Sequence, residues 1–300
     1  MIIIQLMEKA ILKTLIYADI FDYPLTIFEI HKWLIGRKVS LRQVEKALGR
    51  LSQESRVKSQ GGYYFLPKRD GLVVKRTRRE KQSEKYLRKA QVLSSLLKLI
   101  PWVKLVGVSG GLAMENASKR DDIDLFIVTS KNRLWISRLL ALGLLSLTGQ
   151  RRKVGYFGRK IAGKLCINTL LEEDRLAQRN KDIYLAHEIL QMKVLWQRDG
   201  IYSKYLLDNE WTFKFLPNWV SPDTSLRGAL ATKQSRLPRS QSSLAMTIVE
   251  NIAKWFQLKI MRKPQGMERI EDGALYFHPN DIRPKVLSGY QRKLKRIINP

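Results

Sequence analysis

Apolar residues recur in the chain at spacings that divide it into elements. Ile11, Leu12, Leu15 and Ile16 fall at helical spacing, and Pro24 blocks continuation of that helix. Thr26 followed three residues later by Glu29 is a capping-box pair, which predicts a second helix from there to about Leu34. Ser40 with Gln43 repeats the pattern and opens a third helix. On it Leu41, Val44, Leu48 and Leu51 share one face, while Arg42, Lys46 and Arg50 line another at i, i+4, i+8. Gln60-Gly61-Gly62 then separates Arg56-Val57-Lys58 from Tyr63-Tyr64-Phe65-Leu66, as a turn separates two short strands.

Three helices followed by a hairpin over residues 1–68 resembles the winged-helix family. That resemblance implies that the third helix, with Arg42, Lys46 and Arg50, meets a nucleic-acid groove. Winged helices also serve as packing or dimerisation modules, and in that case the three cations form a solvated face.

Residues 69–100 read as a connecting helix that ends at Pro101. Its first half (Lys75, Arg76, Arg78, Arg79, Lys81, Lys85) is too polar to be buried on every side, whereas Leu93, Leu96 and Leu97 give the second half something to pack on. Residues 101–174 alternate strand and helix: strands over Lys104–Val108, Ile123–Val128 and Leu165–Leu171, and a covering helix over Arg133–Leu147. Ile123–Val128 is apolar on both faces, as a central strand should be. Residues 175–300 read as a helical region, with helices over about 175–207, 244–262 and 284–298. Between them, 217–243 is rich in Pro, Ser and Gly and reads as a mobile connection. The fold class expected is α+β, with a central mixed sheet.

Composition adds constraints. Three hundred residues suit two or three compact units. No run reaches the ~18 apolar residues a membrane span needs. Leu134–Leu147 is too short and contains Arg138, so it reads as a buried helix; association with a membrane surface would need it exposed. Met1-Ile2-Ile3-Ile4 lacks the basic start of a secretory signal, and a cytoplasmic protein is the simplest reading. The single cysteine, Cys166, excludes an intrachain disulfide and a cysteine-based zinc cluster. Against 27 acidic residues stand 55 Lys and Arg, a net charge of +28, a field that attracts polyanions such as nucleic acid, nucleotides or acidic membrane surfaces.

The chemistry concentrates in Val108-Ser109-Gly110-Gly111, ten residues of spacer, and Asp122-Ile123-Asp124-Leu125. Side chains two apart on a strand share a face, which sets Asp122 and Asp124 ~6.6 Å apart along the backbone. Two carboxylates at that spacing repel by roughly 2.5 kcal/mol at an effective dielectric of ~20. A divalent cation removes that cost, and aspartate oxygens suit magnesium; Lys119 or Arg120 would offset the pair instead if it merely ends a loop. Gly110-Gly111, after an apolar strand and before Leu112-Ala113-Met114-Glu115, offers freed backbone amides to a phosphate, with the Ser109 hydroxyl beside them.

A strand, two glycines, a spacer of this length and Asp-hydrophobic-Asp-hydrophobic resemble the signature of the DNA polymerase β nucleotidyltransferase superfamily, over roughly residues 103–171. The resemblance implies Asp122 and Asp124 as ligands of two magnesium ions and Ser109, Gly110 and Gly111 at the triphosphate. It also implies a nucleoside triphosphate as donor and pyrophosphate as leaving group. Two departures are visible. Gly110-Gly111 stands where Gly-Ser is commoner, and the later strand offers Asn168 where the family usually has a third carboxylate. An amide orients a nucleophile but does not take its proton; Glu172, Glu173 or Asp174 would substitute if the chain turned back. The alternative expectation is a nucleic-acid-binding regulator whose transferase-like domain does not turn over. His31, His187 and His278 are too scattered for a metal cluster, and His187, beside Glu188 on an apolar-faced helix, reads as a satisfied structural histidine. Cys166 has no evident activating partner.

Overall fold

In the computed structural model, residues 2–153, 155, 158–221, 244–261, 269–277 and 282–298 are described. The chain begins with α1 (Ile2–Asp19), α2 (Ile27–Lys32) and α3 (Leu41–Gln53), with three short strands, β1 (Leu25–Thr26), β2 (Lys58–Gln60) and β3 (Tyr63–Phe65). Both capping boxes form: the Thr26 hydroxyl accepts from the Glu29 amide while the Glu29 carboxylate accepts from the Thr26 amide, and Ser40 and Gln43 repeat the exchange. Gly61 and Gly62 adopt φ of 57° and 80°, the left-handed pair that a two-residue hairpin turn requires. β2 and β3 consequently run antiparallel, with Lys58 opposite Phe65. Leu25 pairs with Tyr64, so the small sheet has the order β1-β3-β2. The two-residue β1 carries no periodic signal of its own in the sequence.

α4 (Leu72–Ser95) and a 3-10 turn (Leu96–Leu99) span the connecting region. Arg76, on the half expected to be solvated, is buried. Its guanidinium lies 3.7 Å over the Tyr23 ring and bonds Glu29 at 2.8 Å and Glu80 at 2.5 Å. Pairing and ring stacking offset the loss of water that a lone buried charge would suffer. At the far end, Ala90 and Leu97 join the core of the main sheet.

That sheet has six strands: β4 (Val103–Val108), β5 (Ile123–Thr129), β6 (Leu165–Glu172), β7 (Lys193–Gln197), β8 (Arg269–Glu271) and β9 (Ala274–Tyr276). Their order is β7-β4-β5-β6-β9-β8, with β5 and β6 parallel and the other neighbours antiparallel. Among the described residues the remaining α-helices are α5 (Gly110–Ala113), α6 (Leu134–Leu147), α7 (Ile183–Gln191), α8 (Ile201–Asp208), α9 (Thr212–Phe215), α10 (Leu244–Ile260) and α11 (Arg283–Ile297). The architecture is α+β with a mixed sheet.

The helical reading of 175–207 needs correction, because Lys193–Gln197 is a strand against β4, with Val106 opposite Trp196. Apolar residues continue across that stretch at spacings a helix also accommodates, so periodicity does not separate the two. What anchors the strand is tertiary: Trp196 is buried and its indole N–H donates to the Ser94 carbonyl at 2.9 Å. β8 and β9 were likewise not anticipated. Of the 217–243 connection, residues 222–243 lie outside the described residues.

Alternation along β5 sorts its side chains. Ile123, Leu125 and Ile127 pack with α6 and with Ala253 of α10. Phe126 and Val128 face the opposite way, toward a core that contains α7, α8 and the N-terminal helices. Asp122 and Asp124 are in phase with Phe126 and belong to that second side. Among the described residues, no helix is long and apolar enough to cross a membrane, and α6 is held against the sheet rather than exposed along its length.

α6 begins without a capping side chain of its own. Glu250 of α10 supplies one, accepting from the Trp135 amide at 2.7 Å and the Ile136 amide at 3.0 Å. Glu172, at the end of β6, accepts from the Asn132 and Leu134 amides.

Candidate functional site

β5 opens the site. Asp122 and Asp124 project from one face, and their carboxylate oxygens, with the Cys166 thiol, lie within 4.8 Å of one another. At that separation two full charges would repel by roughly 3.5 kcal/mol at an effective dielectric of ~20. Two features relieve the repulsion. Arg152 reaches Asp122 with a 2.7 Å ion pair, the part the alternative reading gave to Lys119 or Arg120. Asp124 holds its proton tightly: burial, and next the charge of Asp122, pushes its carboxyl up to about 8 while Arg152 pulls it down. Asp121 is separate, accepting from the Ser118 amide and hydroxyl at 2.8 and 2.7 Å to close the loop before β5.

The parallel register places Cys166, not Asn168, beside Asp124. Asn168 lies two residues further along β6, where the register slips between Leu125 and Phe126. Its carbonyl accepts from the Phe277 amide at 2.7 Å, and the residue is buried. Burial, followed by the nearby aspartates, pushes the Cys166 thiol up to about 12. A thiol in that state is neither a nucleophile nor a proton acceptor near neutral pH.

The acids beyond the strand do not turn back. Glu173 pairs with Lys104 at 2.7 Å and Asp174 with Lys131 at 3.0 Å. Glu172 is spent on the start of α6 at the opposite end of β6 from Cys166. Burial, opposed by those amide bonds, pushes its carboxyl up to about 7.

Across from Asp124 runs the glycine turn. Gly110 has φ of 63°, a conformation costly for any residue with a Cβ. A Cβ there would lie 3.6 Å from Asp124 Oδ2. The turn and the carboxylates are therefore in van der Waals reach of one another. The Ser109 amide donates to the Asp124 carbonyl at 3.1 Å, which locks the two together. The Ser109 hydroxyl makes no capping bond to α5.

The Gly110 amide already has an acceptor, the side-chain carboxyl of Glu188 on α7. Gln191 donates to the same carboxylate at 2.5 Å. Burial pushes Glu188 up to about 7 despite both bonds. Its neighbour His187 departs from the sequence reading of a satisfied histidine. The ring stacks on Tyr17 at 4.3 Å, but Nε2 has no hydrogen-bond partner. Burial lowers the imidazole to about 3, so it is neutral at physiological pH.

Thus Asp122, Asp124, Ser109, Gly110 and Gly111 meet at one place, and Asn168 stands further along the adjoining strand. Arg152, Cys166 and Glu188 join them without having been expected. The parallel register was the missing signal for Cys166, since counting along β6 cannot locate a bulge. Arg42 and Lys46 are exposed and Arg50 half-buried on α3. His278 lies outside the described residues.

The donor set suits a hard cation in its two carboxylates, which are the ligands magnesium prefers, and is less suited in its neutral thiol. No family model matches the chain, and no curated protein matches it.

Proposed function

We propose that the chain is a nucleotidyltransferase of the polymerase β type, moving a nucleoside monophosphate from a nucleoside triphosphate to an acceptor hydroxyl. The observation that carries this reading is the meeting of Asp122 and Asp124 with the glycine turn, Gly110 standing in contact range of Asp124. A glycine turn against a two-carboxylate strand is what the chemistry needs, and neither half alone would argue for it.

Asp122 and Asp124 hold magnesium, two ions by the family resemblance. Bound magnesium neutralises the triphosphate and stabilises the pyrophosphate that leaves. The Ser109 hydroxyl and the Gly111 amide bind phosphate oxygens. The acceptor oxygen bonds to the α-phosphorus as the bond to the β-phosphate breaks, and its proton passes to water; Asn168 stands further along β6. With a neutral thiol rather than a carboxylate beside Asp124, we expect slow turnover.

Labelled triphosphates incubated with magnesium and the full chain test the reading. Label should reach an acceptor with wild type and not with Asp122→Ala/Asp124→Ala; label transfer retained by the double variant removes the assignment.

The N-terminal unit we read as a winged helix, from its three helices and the β1-β3-β2 sheet. The exposed row Arg42 and Lys46 with Arg50 favours a second reading, nucleic-acid binding by α3. DNA affinity measured against salt should lose slope in Arg42→Ala/Lys46→Ala/Arg50→Ala, by up to ~0.9 per phosphate contact removed. An unchanged slope takes α3 out of the interface.

A further inference from the structure

α6 and α10 cover the same face of the main sheet: Trp135, Ala141 and Leu145 of one and Ala253 of the other pack with Ile123, Leu125 and Ile127. Their remaining faces therefore look away from the sheet on one side. On α10 the residues turned inward are Glu250, Ala253 and Gln257, all buried and at helical spacing. The arc opposite them carries Ile248, Val249, Ile252, Trp255, Phe256 and Ile260. Every one is exposed, Ile252 by 60%, Trp255 by 62% and Ile260 by 68%. α6 adds Leu140 and Leu147, two turns apart on one face, and Leu147 is 86% exposed. A single exposed isoleucine calls for no explanation. This arc leaves several hundred Å² of apolar surface in water, as much as the largest patch a monomer normally shows.

The charge around the patch decides what covers it. Neither helix shows an acid to solvent: α6 contains none, and Glu250 on α10 is buried as the cap of α6. The cations do face outward. Lys259 sets its ammonium 5.1 Å from the centroid of the Trp255 ring, and Lys254 makes a loose 4.0 Å contact with the exposed Asp272. Past the end of α6, Arg151 bonds the Ser146 hydroxyl at 3.1 Å and Lys153 is exposed. A second copy would bring the same cations and another net charge of +28 against these, and like charges across an interface oppose docking. An anionic lipid surface brings the opposite charge with an apolar layer beneath it. Tryptophan beside lysine suits that boundary, because the ring rests at headgroup level while the ammonium reaches the phosphates.

We propose that the α6–α10 face binds the surface of an anionic bilayer, with Ile252, Trp255 and Phe256 entering the headgroup–acyl boundary and Lys254 and Lys259 meeting lipid phosphates. The helices lie on the membrane and do not cross it. Asp122, Asp124 and the glycine turn belong to the other side of the sheet, so a protein attached in this way keeps that site toward water. The proposal does not rest on the transferase reading.

Flotation of the full chain with phosphatidylcholine vesicles, with and without phosphatidylglycerol, tests it. Wild type should float with the anionic vesicles. Ile252→Ser/Trp255→Ser keeps every charge and should bind them at least tenfold more weakly. In a second arm, vesicles with brominated acyl chains should quench the tryptophan emission of wild type, and Trp255→Phe should lose most of that quenching. This arm decides alone if the serine variant fails to fold by circular dichroism.

Equal flotation of wild type and the serine variant would mean adhesion of a cationic protein through charge only, and overturns the proposal. Failure of wild type to float, or quenching that ignores Trp255→Phe, does the same. So does a dimer in sedimentation velocity without lipid that the serine variant splits, since a second copy then covers the face.

Discussion

Asp122→Asn/Asp124→Asn is expected to lower label transfer from a nucleoside triphosphate by about 10³-fold or more, since it deletes the charge that holds the metal while keeping side-chain shape. The choice of asparagine matters. In the metal-free protein Asp122 is paired with Arg152 and Asp124 keeps its proton, so the asparagines remove one ion pair and relieve little repulsion. The variant should therefore stay within about 1 kcal/mol of wild type in urea while losing transfer. Loss of activity together with loss of stability would point to a folding defect and not to the chemistry.

Glu250→Ala is expected to destabilise the fold by about 3 kcal/mol, because it strips two charge-assisted bonds from the start of α6. The Trp135 and Ile136 amides are orphan donors of the first helical turn, and Glu250 reaches them from more than a hundred residues away in sequence. Glu250→Gln, with one acceptor oxygen in place of two charged ones, should recover roughly half of the loss. Urea unfolding of the full chain checks both. A change below ~0.5 kcal/mol for Glu250→Ala would mean that Glu172 and solvent suffice for α6.

Where the chain forms elements from local chemistry, the sequence was legible. The Thr26 and Ser40 capping boxes, the Gly61-Gly62 turn and the apolar run of β5 each carry their structure in adjacent residues, and each forms as expected. Elements whose reason is distant were hidden. β7 depends on Trp196 meeting Ser94, and the α6 cap depends on α10. The same division runs through the site. Ser109, Gly110, Gly111, Asp122 and Asp124 sit on two adjoining strands and the turn between them, so spacing was enough to assemble them. Cys166 entered through a parallel register with a slip in it, Arg152 through a loop, and Glu188 through a helix laid on the sheet from 64 residues beyond Asp124 in sequence. None of these placements has a local signature. The acids after β6, which adjacency suggested, are occupied with Lys104, Lys131 and the α6 amides at the other end of the strand.

Manganese titration of the full chain, followed by loss of the free-ion electron paramagnetic resonance signal, addresses the shared cation most directly. Saturable binding in wild type, weakened at least tenfold in Asp124→Asn, is the expected result. Manganese bound equally well after that replacement, or not bound by either protein, would mean that Arg152 alone balances the aspartates and that β5 carries no metal.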